Sequence, residues 1–273
     1  MVKPVTIRLN FLYFVFTPLT IQQDGTIIGP APNKREEAGV LRISGLQKLT
    51  LLDYPGHVAC TVFTGGCNFR CPFCHNAPLV LPERLQGDEN GEETVLAFLK
   101  KRQGILDGVA VTGGEPLLHK DIDGFLRKVK DLGYAVKLDT NGSFPERLMA
   151  LVEEGLVDRV AVDIKNSPAL YAKTVGVPGF DLAPVERSKN FLLSGKVEYE
   201  FRTTVVKGLH TRESLLEAAR WIEGAKEYYL QQFKDSGDVI AIEGLSAFSA
   251  EEMHALADAV RPIVPSVQVR GVE

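Results

Sequence analysis

From residue 40 onward the chain alternates between two hydrophobic rhythms. Apolar, β-branched runs stand at 58–64, 108–112, 135–139, 158–163, 197–206 and 227–232, with the length and composition of buried strands. Between them, apolar residues recur at helical spacing. Ile122, Phe125, Leu126 and Val129 form one such stripe, stopped by Gly133. Asn90 and Glu93 have capping-box spacing ahead of Val95, Phe98 and Leu99, with Gly104 beyond the end. Ser143 and Glu146 stand likewise ahead of Leu148, Leu151 and Val152, closed by Gly155. Ser249 and Glu252 precede Met253, Leu256 and Val260, stopped by Pro262. Such ends mark helices. Strand alternating with helix means β/α units and a parallel sheet, and six units predict an α/β fold built as a partial (β/α)6 barrel. The helical 240s to 260s are expected to complete or cap its open side.

The first 39 residues do not follow this rhythm. Phe11-Leu12-Tyr13-Phe14-Val15-Phe16 is strongly apolar and follows Lys3 and Arg8. The run is far shorter than the roughly 20 residues a membrane span needs, Pro18 interrupts it, and no small-residue cleavage site follows. Residues 22 to 39 then turn polar and charged. Residues 1–39 read as an N-terminal extension outside the β/α fold, disordered or a mis-assigned translation start, and 40–273 as the domain that holds that fold.

A chain of 273 residues with 45% hydrophobic content can bury a full core. The net charge of −4 gives no electrostatic reason to expect nucleic acid, and nothing calls for a membrane. Three of the four cysteines crowd into eight positions, which is no disulfide framework and points to a metal or redox site in the cytoplasm. Cys60, in the apolar run 58–63, reads as a buried core thiol.

The crowded cysteines are Cys67, Cys71 and Cys74, in Gly65-Gly66-Cys67-Asn68-Phe69-Arg70-Cys71-Pro72-Phe73-Cys74-His75-Asn76. Thiolates are the preferred ligands of iron–sulfur clusters. Three of them on a four-iron cube leave one iron open for chemistry, as catalytic zinc sites do by analogy. A Cys₃His zinc module using His57 or His75 would use the same thiols. That alternative leaves the other motifs unexplained: Thr112-Gly113-Gly114-Glu115-Pro116 after the second strand, Asp139-Thr140-Asn141-Gly142 ending the third, Asp163-Ile164-Lys165 ending the fourth, and Arg202 with Thr203 in the fifth. All lie at or near C-terminal strand ends, which share one face in a parallel barrel. His119, His210 and His254 read as helix-flank or surface residues without partners.

The cysteine spacing resembles the CxxxCxxC signature of radical S-adenosylmethionine (SAM) enzymes, with Phe73 as the aromatic before the third cysteine. Residues 41 to about 235 resemble radical SAM glycyl-radical-enzyme activases, most closely the anaerobic ribonucleoside-triphosphate reductase activating proteins. Leu52-Asp53-Tyr54-Pro55-Gly56 is similar to the D-x-P-G stretch of these activases, and Cys-His-Asn ending at Asn76, GGEP, D-T-N-G and D-x-K match the same group. The resemblance implies a partial barrel of the radical SAM type holding one [4Fe–4S] cluster on Cys67, Cys71 and Cys74. It implies that SAM chelates the open iron and is cleaved reductively to methionine and a 5′-deoxyadenosyl radical. That radical takes a hydrogen from a glycine Cα of a partner, anaerobic ribonucleotide reductase, and a flavodoxin-type protein donates the electron.

The resemblance also assigns roles. Gly113, Gly114 and Pro116 frame the methionine moiety, and Glu115 accepts from its ammonium. Asn76 belongs to the cysteine motif, and Phe73 packs near the adenine or fills the loop. Asn141 bonds the ribose or carboxylate. Asp139, Thr140 and Asp163 resemble the set that binds a monovalent cation beside SAM in pyruvate formate-lyase activases; a plain hydrogen-bonded rim is the other reading. Lys165 faces SAM or the peptide, or pairs with Asp163, and Arg202 joins the cofactor-binding set. Two features depart from relatives. The sixth strand reads Tyr229-Leu230-Gln231-Gln232-Phe233 where pyruvate formate-lyase activases have a histidine, and no cysteine follows Cys74 to hold a second cluster. A small-molecule enzyme such as 7-carboxy-7-deazaguanine synthase is the alternative, although that family follows its third cysteine with Asp-Thr.

Overall fold

The structure, a computed structural model, describes residues 20–21, 27–28, 41–81, 83–84, 91–235 and 237–272. The chain divides into two compact units, Met1–Gly39 and Val40–Glu273. In the first, β1 (Thr20–Ile21) pairs antiparallel with β2 (Ile27–Ile28). The rest of that segment, and with it the reading of an N-terminal extension, lies outside the described residues.

Among the described residues, the second unit is built on one eight-stranded sheet. Its strands are β3 (Ile43–Thr50), β4 (Ala59–Thr64), β5 (Gly108–Gly113), β6 (Ala135–Thr140), β7 (Arg159–Asp163), β8 (Glu198–Val205), β9 (Tyr228–Gln232) and β10 (Val267–Arg270). Neighbours run in the order β10-β9-β8-β7-β6-β5-β4-β3, parallel throughout except for antiparallel β3 against β4. The six predicted strands are β4 to β9. The sheet exceeds the expectation by one strand at each edge. Neither edge strand announces itself as a buried run: only Ile43 and Thr50 of β3 are buried, and β10 has four residues with one buried. The 240s to 260s therefore supply α8 (Ala250–Val260) and a seventh parallel strand, and the sheet stays open between β3 and β10.

Strand alternation sorts the side chains. Cys60 and Val62 of β4, and Val136 and Leu138 of β6, enter the core beneath α2 (Glu92–Arg102), α3 (Ile122–Asp131) and α4 (Pro145–Glu153). Cys60 is wholly buried there, as expected. Thr61, Phe63 and Asp139 face the opposite, concave side.

The helix ends follow the sequence in part. Gly133 after α3 and Gly155 after α4 both take the left-handed conformation of a C-terminal cap, at φ 88° and 69°. Ser249 caps α8 with a full capping box, Glu252 Oε2 accepting from Ser249 N at 2.6 Å and Ser249 Oγ from Glu252 N at 3.1 Å. The box at Ser143 does not form. α4 begins at Pro145, whose fixed φ suits a first turn, and Ser143 is drawn elsewhere. α2 begins after Gly91 without a side-chain cap, and Asn90 lies outside the described residues.

Candidate active site

The cysteine loop leaves the C-terminal end of β4 and is held by backbone bonds on every side. Gly65 N donates to Arg42 O at 3.0 Å, Gly66 N to Leu79 O at 2.6 Å and Arg70 N to Val175 O at 2.8 Å. The Arg70 guanidinium folds back onto the carbonyls of Cys67 and Phe69 at 2.6 and 2.7 Å. A side chain on Gly176, at φ 67°, would collide with Arg70 O, so this glycine lets the loop seat on α5 (Tyr171–Val175). From beyond β9, Ala241 N reaches across to Pro72 O at 2.9 Å.

Beneath the loop lies a cavity of about 300 Å³ that all three cysteines line. Burial pushes the Cys67 thiol up to about 11 and Cys71 to about 12, and raises Cys74; Lys165 opposes the shift at all three. Buried thiols of this kind become thiolates when a metal supplies the compensating charge. Phe69 N donates to Cys67 Sγ at 3.3 Å, a bond suited to a thiolate. Among the described residues no three His, Cys, Asp or Glu side chains are grouped to hold a single metal ion. The three thiols suit a multi-iron cluster that takes each thiolate on a different iron and asks for no histidine. His57 is excluded independently. It bonds Asp107 Oδ1 at 3.2 Å, next to the start of β5 and at the opposite end of the sheet from the thiols. His75 lines the cavity.

The GGEP run explains how β5 meets this loop. A Cβ on Gly113 would strike Thr64 O, and one on Gly114 would strike Gly66 O. Their absence lets Gly114 N bond Thr64 O at 2.9 Å and Glu115 N bond Gly66 O at 2.8 Å. Asn76 Nδ2 adds a bond to Gly113 O at 3.2 Å. Both glycines line the cavity, but Glu115 and Pro116 do not. Glu115 is wholly buried. Its Oε1 accepts from Leu117 N at 3.0 Å and Thr140 Oγ1 at 2.8 Å, and its Oε2 from Asn141 N at 2.7 Å. The Glu115 carboxylate, which the sequence suggested as an acceptor for an ammonium, latches the end of β5 to the end of β6 in this structure. Burial raises its carboxyl to about 7, against the lowering effect of those bonds.

Asn141 is likewise committed within the protein. Its Oδ1 accepts from Ser143 N at 2.9 Å and Ser143 Oγ at 2.6 Å, while Nδ2 donates to Asn68 Oδ1 at 2.8 Å and stands 3.9 Å from Cys67 Sγ. Ser143 therefore serves the cysteine loop and not α4.

The cavity floor is a continuous ionic network of residues on the strands and just beyond the end of β7. Arg202 bridges Asp139 and Asp163, Lys165 pairs with Asp163, and fully buried Lys137 pairs with Asp139. Below them, Glu200 joins Arg159 at 3.2 Å and Arg270 at 3.1 Å. Lys165 Nζ also sits 5.9 Å from the centre of the Phe73 ring. Phe73 is buried with Phe69, Cys71 and Tyr171 and still borders the cavity.

The cavity thus gathers the cysteines, Phe73, Asn76, Gly113, Gly114, Asp139, Thr140, Asn141, Asp163, Lys165 and Arg202. Sequence reasoning missed Gln47, Thr61, Phe63, Thr204 and Gln231, which line it too. The period-two alternation of β4 and β8 could have supplied Thr61, Phe63 and Thr204, since each lies two positions from another inward residue. It also misjudged two histidines. His119 Nε2 bonds Gly65 O at 2.8 Å, and buried His210 bonds Lys165 O through Nε2 at 2.8 Å.

Comparison with known proteins places this geometry. Residues 61–222 match the radical SAM superfamily. A Methanocaldococcus jannaschii protein, provisionally named a glycyl-radical enzyme activating enzyme, is 29% identical over 240 residues, 84% of this chain and 96% of its own length. A Thermococcus kodakarensis protein, provisionally named GTP 3′,8-cyclase, is 31% identical over 155 residues, 55% of this chain, and this chain spans about half of its length (48%). Among solved structures, Streptococcus suis SuiB bound to SAM shares the fold with a TM-score of 0.60 at 14% identity, over 76% of this chain and 48% of that one.

Proposed function

Because this chain belongs to the radical SAM superfamily, we propose that it is an activating enzyme that generates a glycyl radical on a partner protein, most closely anaerobic ribonucleoside-triphosphate reductase. The observation that carries this reading is the near end-to-end likeness to the Methanocaldococcus jannaschii protein, 96% of which is matched. The likeness to the cyclase covers only 55% of this chain. The His75-Asn76 ending of the cysteine motif also favours an activase over 7-carboxy-7-deazaguanine synthase.

Cys67, Cys71 and Cys74 hold a [4Fe–4S] cluster, which when bound supplies one electron for cleavage of the SAM sulfonium. The chain supplies position and charge. Gly113 and Gly114 present bare backbone to the methionine moiety, and Lys165 sets a positive charge beside the three thiolates. Phe73, Asn76, Thr140 and Asn141 border the same space, where Phe73 would pack near the adenine and Asn141 would meet the ribose or carboxylate, and Glu115 and Pro116 shape it from behind. A flavodoxin-type donor and a cytoplasmic location complete the proposal. Among the described residues no helix is long and apolar enough to cross a membrane.

The test is direct. Cluster-loaded enzyme, SAM and dithionite are mixed anaerobically with the ribonucleotide reductase of the same organism. A SAM-dependent doublet glycyl radical signal is expected by electron paramagnetic resonance, and deuterium placed at that glycine Cα is expected in the 5′-deoxyadenosine. No radical on any glycyl-radical enzyme of the host, alongside turnover of 6-carboxytetrahydropterin, would overturn the reading in favour of the small-molecule alternative.

A further inference from the structure

Asp139, Thr140 and Asp163 have the composition of a cation site, yet the structure uses their oxygens otherwise. Asp163 and Arg202 stand directly opposite each other in the pairing of β7 with β8, and Asp139 lies on the next strand, β6. From this position Arg202 Nη1 donates to Asp139 Oδ2 at 2.9 Å and Nε to Asp163 Oδ1 at 3.1 Å. The two remaining oxygens are also taken. Lys137 Nζ stands 2.5 Å from Asp139 Oδ1, and Lys165 Nζ 2.9 Å from Asp163 Oδ2. Thr140 Oγ1 donates to Glu115 and accepts from Gly142 N at 3.1 Å.

The charge balance points the same way. Lys137, Lys165 and Arg202 face Asp139, Asp163 and Glu200, with Glu200 Oε1 at 3.8 Å from Lys137 and 4.0 Å from Arg202. Three positive charges meet three negative ones. Arg159 and Arg270 add two more cations, against two further carboxylates, Glu227 and Glu198, 2.5 and 4.0 Å from Arg159. A metal cation placed between the aspartates would be surplus positive charge in a buried site, where like charges a few ångströms apart repel strongly. Burial alone would raise both carboxyls, but Arg202 and the two lysines outweigh it and hold them low. The residues therefore do not fit the monovalent cation that the sequence suggested.

We infer that Arg202 is a built-in substitute for that cation: it neutralises and fixes Asp139 and Asp163, SAM binding is indifferent to K⁺ and Na⁺, and removing the guanidinium creates a cation requirement. This is a positioning role, because the guanidinium acts through the two aspartates. It rests on the SAM site of the proposed function and not on the identity of the protein partner.

Calorimetric titration of SAM into the cluster-loaded wild-type protein, at equal ionic strength of K⁺, Na⁺ or tetramethylammonium, should give dissociation constants within about twofold of one another. Loaded Arg202→Ala should bind SAM at least tenfold more weakly in tetramethylammonium than in the better of the two metal ions. Its apo form should melt higher in that metal salt than in tetramethylammonium, a difference the apo wild type lacks. Arg202→Gln, which keeps one donor but no charge, is held to the same criterion if Arg202→Ala does not fold. Wild-type binding that weakens tenfold without K⁺ or Na⁺ overturns the inference alone, as does a folded variant that ignores the cation. Wild-type protein that binds no SAM in any of the salts removes the inference and the cofactor reading together.

Discussion

Replacing Glu115 by alanine separates a latch from a ligand contact. The substitution strips the acceptor from two backbone N–H groups, those of Leu117 and Asn141 at 3.0 and 2.7 Å, and from the Thr140 hydroxyl at 2.8 Å. The site is wholly buried, and each buried donor left unpaired costs about 1–3 kcal/mol. Thr140 can turn its hydroxyl, whereas the two amides cannot move, so the loss is about 2–6 kcal/mol. The assay is urea unfolding of the anaerobic apo protein, in which neither cluster nor SAM contributes. Iron retention after reconstitution should fall as well, because the Asn141 amide anchored by Glu115 belongs to the residue that holds Asn68 of the cysteine loop at 2.8 Å. Apo stability unchanged within about 0.5 kcal/mol, together with a more than tenfold loss of SAM affinity, would refute the latch and return Glu115 to the cofactor.

Two further outcomes are expected. The Glu115 carboxyl is raised from 4.5 to about 7 by burial, so the folded state keeps its proton to higher pH than the unfolded state; this contribution is full below pH 4.5, is lost as pH rises through 7, and amounts to about 3 kcal/mol. Glu115→Gln cannot ionise, so wild-type stability should fall relative to it across that window in denaturant titrations at stepped pH, and a flat difference would contradict the assignment. Alanine at Cys67, Cys71 or Cys74 should abolish iron binding, while Cys60→Ala, a wholly buried core change, should retain about four irons per chain and cost about 1 kcal/mol; iron and sulfide analysis distinguishes them.

What the sequence determined by itself was whatever short-range pattern can carry. Six strands and their order follow from local apolar runs, because a strand buried between helices and a filled interior must be apolar along its length. The three cysteines and the strand-end motifs were legible because parallel β/α topology delivers every C-terminal strand end to one face. β3 and β10 were not legible, since an edge strand exposes much of its surface and loses the hydrophobic signal. The capping box proposed at Ser143 failed for a related reason: local spacing cannot reveal that Asn141, two residues earlier, draws the serine into its own bonds.

Only the tertiary structure decided what the polar residues do. Glu115 stands in a motif that suggests a ligand contact, but three donors, one two residues on and two at the end of β6, bond its carboxylate. The glycines before it are required by the close approach of Thr64 and Gly66, some 48 positions away in the chain, as the Thr64 Oγ1 bond to Thr112 O across the same gap marks. Asp139 and Asp163 look like cation ligands when read singly. Lys137 and Lys165 each stand two residues from one of them, but Arg202 comes from β8, and only the register of the sheet brings its charge within 3.1 Å of both carboxylates. Electrostatic balance is a sum over neighbours in space, and the neighbours are chosen by the fold.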